Sequence, residues 1–210
     1  MVFCVEILIW YVLLLFAARY MGRDGLITYV VSAAVIANVE TTQFIRVMGM
    51  DMPGGIIPFA CLFLATDVSS EMFGKEFSHR LVVYSGAGML LSSLVVTLFG
   101  MNEGVSDSFR TAFSATLRIA FASISVYYIC GRLDVRLYHA IGKIAKYKWL
   151  RNNVATITAQ FVNAFLFILL AFGWMGVGPV VGNWLISLCL ALLDTPMLYI
   201  ITGKDRFLKE

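Results

Sequence analysis

The sequence predicts an all-α polytopic membrane protein. It reads as a bundle of about seven transmembrane helices with its N-terminus outside and its C-terminus cytoplasmic. Three observations carry this reading. Of 210 residues, 60% are hydrophobic and 14% charged, and the mean hydropathy is +0.84; soluble domains run at about 45–50% and about 25%. Seven stretches reach the roughly 20 apolar residues that a membrane crossing needs. The basic residues also sort by side: all sixteen Lys and Arg except Arg46, Arg110 and Arg118 fall on one face of the seven-span arrangement, and basic residues stay cytoplasmic.

The spans fall at about 2–21, 25–45, 54–74, 78–100, 112–134, 153–173 and 180–202. Gly and Pro at 22, 25, 53–54, 74, 173 and 176–179 punctuate them. The first could be taken for a signal peptide, but it lacks a basic leading region, carries Glu6 there, and its apolar run is too long. The whole chain, 1–210, reads as a single integral membrane domain. The longest break, "RLDVRLYHAIGKIAKYKW", mixes basic and apolar residues. It is expected to lie on the anionic inner leaflet, with membrane lipid as its partner, or to dock a cytoplasmic protein. The opposite loop, 101–111, is expected to be solvated.

Polar residues inside the spans are expensive and tend to face the bundle interior or a wet cavity. In span three, Asp67, Ser70, Glu71 and Gly74 recur at i, i+3, i+4 and i+7, one face of a helix. Glu71, nearer the interface, could reach Lys75 or solvent; Glu71 and Asp194 lie close enough to helix ends to serve as anchors. In span six, Asn153, Thr156, Gln160 and Asn163 form a second stripe. Span five brings Ser114, Arg118 and Ser125, with Arg118 a counter-charge for Asp67 or for a negative substrate group. Span two carries Asn38, Thr41 and Thr42 on one side and Glu40 with Gln43 on the other. Pro196 in span seven frees a backbone carbonyl one turn back. Hydroxyls and amides also glue membrane helices without touching a ligand, and Thr41, Thr42, Ser114, Ser125 and Thr156 suit that role. Asp67 and Arg118 are costly enough to mark a pathway or site. Together the stripes describe a pocket for a small, flat, polar molecule, with Phe63, Phe121, Phe167 and Tyr199 as possible stacking faces.

Other chemistry finds little support. Cys4, Cys61, Cys130 and Cys189 stand singly, so neither a disulfide framework nor a zinc site is indicated. No P-loop and no HExxH motif occurs, and His79 and His139 both lie near cytoplasmic ends. The protein is therefore not expected to be an enzyme, to hold a metal or cofactor, or to bind nucleic acid.

The segments "VIANVETTQ", "FLATDVSSEMFGKE", "LRIAFASISVYYICGRLDV", "LRNNVATITAQF" and "LLDTPMLY" resemble, in order, the motifs of the queuosine precursor transporter (Vut) family. That family is similar in architecture to the substrate-binding subunits of energy-coupling-factor transporters. The resemblance covers about 10–202. It implies a bacterial inner-membrane importer of 7-deazaguanine bases (preQ0, preQ1 or queuine) for tRNA queuosine salvage, with an extra N-terminal helix at about 2–21 before a six-helix core at about 25–202. It also implies that Asn38, Asp67, Glu71, Arg118, Asn153 and Gln160 surround the substrate, with Asn163 on the same stripe. Asp67 or Glu71 would accept from the N–H and amino group of a guanine-like edge. Four positions depart from the family pattern: Gln43 and Ser187 stand where a Lys is expected, Asn163 where an Asp is, and Ala155 where a Ser is. Losing the Asp and the Lys together would remove an ion pair as a unit, or change substrate or coupling. The alternative reading is the binding subunit of an ATP-driven vitamin-type importer for another small heterocycle, served by separate ATPase or coupling subunits. A homo-oligomer is a further possibility, and an intramembrane enzyme is the remote one.

Overall fold

A computed structural model describes residues 2–47, 50–114, 116–174 and 177–203. Helix α1 (Val2–Phe16) passes through a π-helical turn (Ala17–Met21) into α2 (Gly22–Glu40). A small antiparallel hairpin follows, β1 (Phe44–Val47) on β2 (Met50–Pro53), then α3 (Ile56–Phe73) and α4 (Lys75–Gly100). A short α5 (Asp107–Ser114) precedes α6 (Thr116–Gly142), α7 (Lys148–Phe172) and α8 (Val177–Thr202).

Among the described residues, five helical runs are long and apolar enough to cross a membrane: Cys4–Glu40, Ile56–Phe73, Lys75–Gly100, Trp149–Ala171 and Val180–Thr202. The first is two crossings, because Gly22 takes the left-handed φ of +60° that glycine adopts without a Cβ clash. The Tyr29 hydroxyl on α2 then donates to the Trp10 carbonyl on α1 at 3.2 Å, and the two rings meet edge to face at 5.7 Å. The more polar α6, at 27 residues, is about 40 Å long at 1.5 Å per residue and is the remaining long helix. The all-α polytopic bundle read from the sequence is the fold observed.

Helix α3 is the axis. Every residue from Ile56 to Glu71 except Phe59 is buried, and α1, α2, α4, α6 and α8 all pack against it. A helix enclosed on all sides has no face on which to hide a polar group, so Asp67, Ser69, Ser70 and Glu71 must find partners inside the protein. By contrast, Leu8, Val12 and Leu13 of α1 and Leu91, Leu94 and Leu98 of α4 are exposed, as suits a lipid-facing surface.

Three boundaries differ from the sequence reading. Span two ends at Glu40 rather than at residue 45, and Gln43 sits in the turn before the hairpin, where its carbonyl accepts from Gly54 N at 2.7 Å. Span five begins at Thr116 and does not stop near 134. The expected surface segment between spans five and six is for the most part the ends of α6 and α7, with only 143–147 between them. Charged residues stopped the apolar pattern, but helical hydrogen bonding continued past the point where lipid contact would end.

The hairpin is set tightly on α2. A Cβ added to Gly55 would lie 2.2 Å from the Ala37 carbonyl oxygen and 2.4 Å from Thr41 Oγ1. Gly55→Ala is therefore expected to destabilise the protein by about 1–3 kcal/mol, the usual range for overpacking. A lowered thermal unfolding midpoint in detergent would show it; an unchanged midpoint would mean that the hairpin yields freely.

Candidate functional site

Polar side chains collect around α3 in three successive layers. The first is a cavity beside the hairpin, at the end of the bundle where α3 begins. Thr41 at the end of α2, Pro53, Ile56 and Phe59 form one wall, Ser123 of α6 another, and Gln160, Asn163 and Phe167 of α7 with Asn183 and Ser187 of α8 the rest. About 450 Å³ of empty space lies within it, the open solvent at its mouth included. The lining offers three amides and three hydroxyls between apolar and aromatic surfaces, hence both donors and acceptors. Ser123 is 3% exposed and its Oγ has no hydrogen-bond partner among the described residues.

One turn further along α7 lies the second layer. Asp67 and Asp134 are both fully buried. Thr156 Oγ1 lies 3.2 Å from Asp67 Oδ2 and 3.5 Å from Asp134 Oδ1, so one hydroxyl touches both carboxyl groups. Thr66 Oγ1 lies 3.3 Å from Asp134 Oδ2 while donating to the Phe63 carbonyl at 2.7 Å. A hydroxyl has one proton to give, so the two threonines cannot satisfy four acceptors. Among the described residues Asp67 Oδ1 has no hydrogen-bond partner. A turn beyond Thr156, Asn152 is 1% exposed and neither atom of its amide is hydrogen-bonded to a described residue.

The third layer is an ion pair. Arg151 Nη1 lies 3.2 Å from Glu71 Oε1, with both side chains almost wholly out of solvent. The Tyr138 hydroxyl donates to the same oxygen at 2.8 Å, and its ring lies 5.6 Å from the guanidinium carbon. To one side of the axis, Asp194 of α8 is buried and accepts from the Tyr11 hydroxyl of α1 at 2.6 Å. Asp194 Oδ2 has no partner. Tyr11→Phe would remove the bond to this buried carboxyl and is expected to lower stability by about 1–3 kcal/mol. Thermal unfolding of the two proteins in the same detergent measures it.

The sequence-predicted residues are thus only partly brought together. Gln160 and Asn163 line the cavity and Asp67 lies a layer deeper. Glu71 faces Arg151 rather than Lys75 or solvent. Asn153 turns to α8, where Nδ2 donates to Thr195 Oγ1 at 2.9 Å and to the Trp149 carbonyl at 2.7 Å. Asn38 donates to Ser93 at 2.7 Å and ties α2 to α4. Arg118 is in the first turn of α6, sixteen residues before Asp134, about 24 Å along the helix; its side chain lies outside the described residues. Of the proposed stacking groups, Phe167 lines the cavity, Phe63 is buried against Tyr127, Phe121 is 59% exposed, and the Tyr199 hydroxyl accepts from Trp149 N. Asp194 and Glu71 are not surface anchors, since both are buried.

Sequence reasoning passed over Asp134, Arg151, Asn152, Ser123 and Asn183. The signal for Asn152 was available: Asn152, Thr156 and Gln160 at i, i+4 and i+8 are also one face of a helix, and all three are buried, whereas Asn153 and Asn163 at the edge of that face are only partly so.

An apolar bundle with polar layers stacked along its axis has the build of a membrane transport protein for a small polar solute. Residues 53–201 match the model of the family described as "Putative vitamin uptake transporter", and the chain belongs to that family. It is similar to the "Probable queuosine precursor transporter" of Bacillus subtilis (strain 168), with 25% identity over 207 residues covering 91% of this chain and 90% of that one. It is also similar to the "Queuosine precursor transporter" of Escherichia coli (strain K12), with 25% identity over 61% of this chain and 58% of the relative. The corresponding protein of Haemophilus influenzae is 25% identical over 56% and 51% of the two chains. No solved structure matches the chain significantly.

Proposed function

We propose that this protein imports a queuosine precursor, a 7-deazaguanine base such as preQ0, preQ1 or queuine, and that the cavity between α3, α6, α7 and α8 is where the base first binds. The cavity lining is the observation that supports this reading most directly. A deazapurine is flat, apolar on its faces and lined with donors and acceptors on its edges. Phe59 and Phe167 offer apolar walls, while Gln160, Asn163 and Asn183 offer amides able to donate and accept on the same edge. With the sidedness read from the basic residues, this cavity belongs to the outer half of the membrane, where an importer receives its substrate. Asn38 and Asn153, already bonded between helices, hold the frame in this reading.

The test is salvage in a bacterium that can neither make nor import these bases. The gene is expressed, each base is supplied at low concentration, and queuosine in tRNA is read by boronate-gel shift. Restoration by one base is expected. Gln160→Leu keeps the volume and removes the amide; the loss of one or two hydrogen bonds at about 1–1.5 kcal/mol each should cut uptake at limiting base about tenfold or more. Equal uptake by wild type and Gln160→Leu would move the substrate out of this cavity. No restoration by any base, with the protein present in the membrane, would remove this substrate class.

A further inference from the structure

The second polar layer lies beyond the cavity and contributes nothing to its lining. We propose that Asp67 and Asp134 form a proton-binding pair that couples substrate import to inward proton movement. This rests on the importer reading above and adds its energy source.

The geometry is that of two carboxyl groups short of one proton donor. Both are wholly buried on facing helices, and the single Thr156 hydroxyl lies within 3.5 Å of an oxygen of each. Two negative charges so close, out of water, repel strongly, and one shared proton removes the repulsion and supplies the missing donor. Their neighbours give no alternative relief. On α3, Glu71 is bonded to Arg151 of α7 and Tyr138 of α6. Also on α6, Tyr127 is paired with Ser85, and Cys130 is buried. From α8 comes another carboxyl, Asp194, bonded to Tyr11 of α1. From α4 comes the neutral hydroxyl of Ser78, which is bonded to Ser69 and Ser70 and lies 3.2 Å from the Thr66 carbonyl; α2 brings Tyr29, bonded to Trp10. The buried cation of this region, Arg151, is committed through Nη1 to Glu71.

A second observation points to traffic through this layer. Asn152, on the same buried face of α7 as Thr156 and Gln160, leaves both amide atoms without partners among the described residues at 1% exposure. Unsatisfied buried amides are costly, and this one lies on the route from the carboxyl pair toward the Arg151–Glu71 closure. A proton taken from the outer cavity is held between Asp67 and Asp134. It is released, as a proton, to the cytoplasmic side when the Arg151–Glu71 layer opens with the substrate; no bond other than O–H is made or broken.

The test uses the full chain reconstituted in lipid vesicles with a radiolabelled 7-deazaguanine base, together with infrared spectra of the same samples. For one proton per substrate, an outside-acid gradient of one pH unit should drive up to about tenfold accumulation, abolished by a protonophore. Asp134→Asn, of the same size, should still exchange external for internal base but lose the gradient-driven accumulation. Without any substrate, the infrared spectrum at neutral pH should contain the carbonyl stretch of a protonated carboxylic acid that Asp194→Asn leaves in place and Asp67→Asn/Asp134→Asn removes. Exchange by the wild type with no response to the pH gradient would overturn the proposal, as would full accumulation by Asp134→Asn. If no base is exchanged, the importer reading fails on its own; the infrared band then decides the proton site, and its absence from the wild type, or its survival in the double variant, overturns the assignment.

Discussion

Arg151→Met is expected to destabilise the protein by about 3–5 kcal/mol, the usual cost of removing one partner of a buried ion pair. Glu71 would be left almost wholly out of solvent, with the Tyr138 hydroxyl at 2.8 Å as a neutral donor in place of a guanidinium. Met fills much of the space of the arginine stem, so the loss would be that of the charge rather than of packing. The compensating change is Glu71→Leu. With both charges gone and the volume kept, the double variant should recover most of the lost stability, because a buried pair replaced as a unit by apolar groups is often neutral or better. The measurement is the thermal midpoint of the four proteins in one detergent, with membrane abundance as a second readout. A strong positive coupling between the two sites is expected. If Arg151→Met alone unfolds at the wild-type temperature, the two side chains are not paired.

The same residue shows where a sequence stops being informative. The helices are legible because an apolar run of about 20 residues has few other uses, and because Gly22, Gly74 and Gly173, each at positive φ, fall where the runs break. Arg151 follows Lys146 and Lys148 and so reads as one more cytoplasmic charge. What buries it is Glu71, eighty positions away on another helix, and nothing local announces that meeting. Asp134 is hidden in the same way, between Arg132 and Arg136 in what looks like the end of a span. The α7 stripe shows a different limit. Asn153 and Asn152 each begin a plausible helical face through Thr156 and Gln160, yet the two residues themselves stand about 100° apart around the helix. Only packing decides, and it puts Asn152 inside and Asn153 against α8. Asp67 needed no such help: a carboxyl in the middle of an apolar helix is conspicuous whatever surrounds it.

The two departures from the family pattern that involve lost charges turn out to share one surface. Asn163 of α7 and Ser187 of α8, where an Asp and a Lys are expected from the resemblance, line the same cavity. An ion pair removed as a unit would have spanned this cavity, and a double-mutant cycle can test it. Ser187→Lys alone puts an ammonium at a position only 4% exposed, and an unpaired buried charge is costly by several kcal/mol unless it finds a partner. Asn163→Asp alone adds a carboxylate to a cavity wall with no cation opposite. Asn163→Asp with Ser187→Lys should be more stable than the sum of the single changes predicts, by about 1–3 kcal/mol of coupling, the range for groups in contact. Transport separates the two meanings of the departure. If the lost pair was only structural, the double variant should accept the same base as the wild type at a comparable rate. If the neutral pair tunes the substrate, the double variant should fold, exchange its original base poorly, and take up a different member of the same series. Additive destabilisation, with no coupling, would mean that the two positions line one cavity without ever having formed a pair across it.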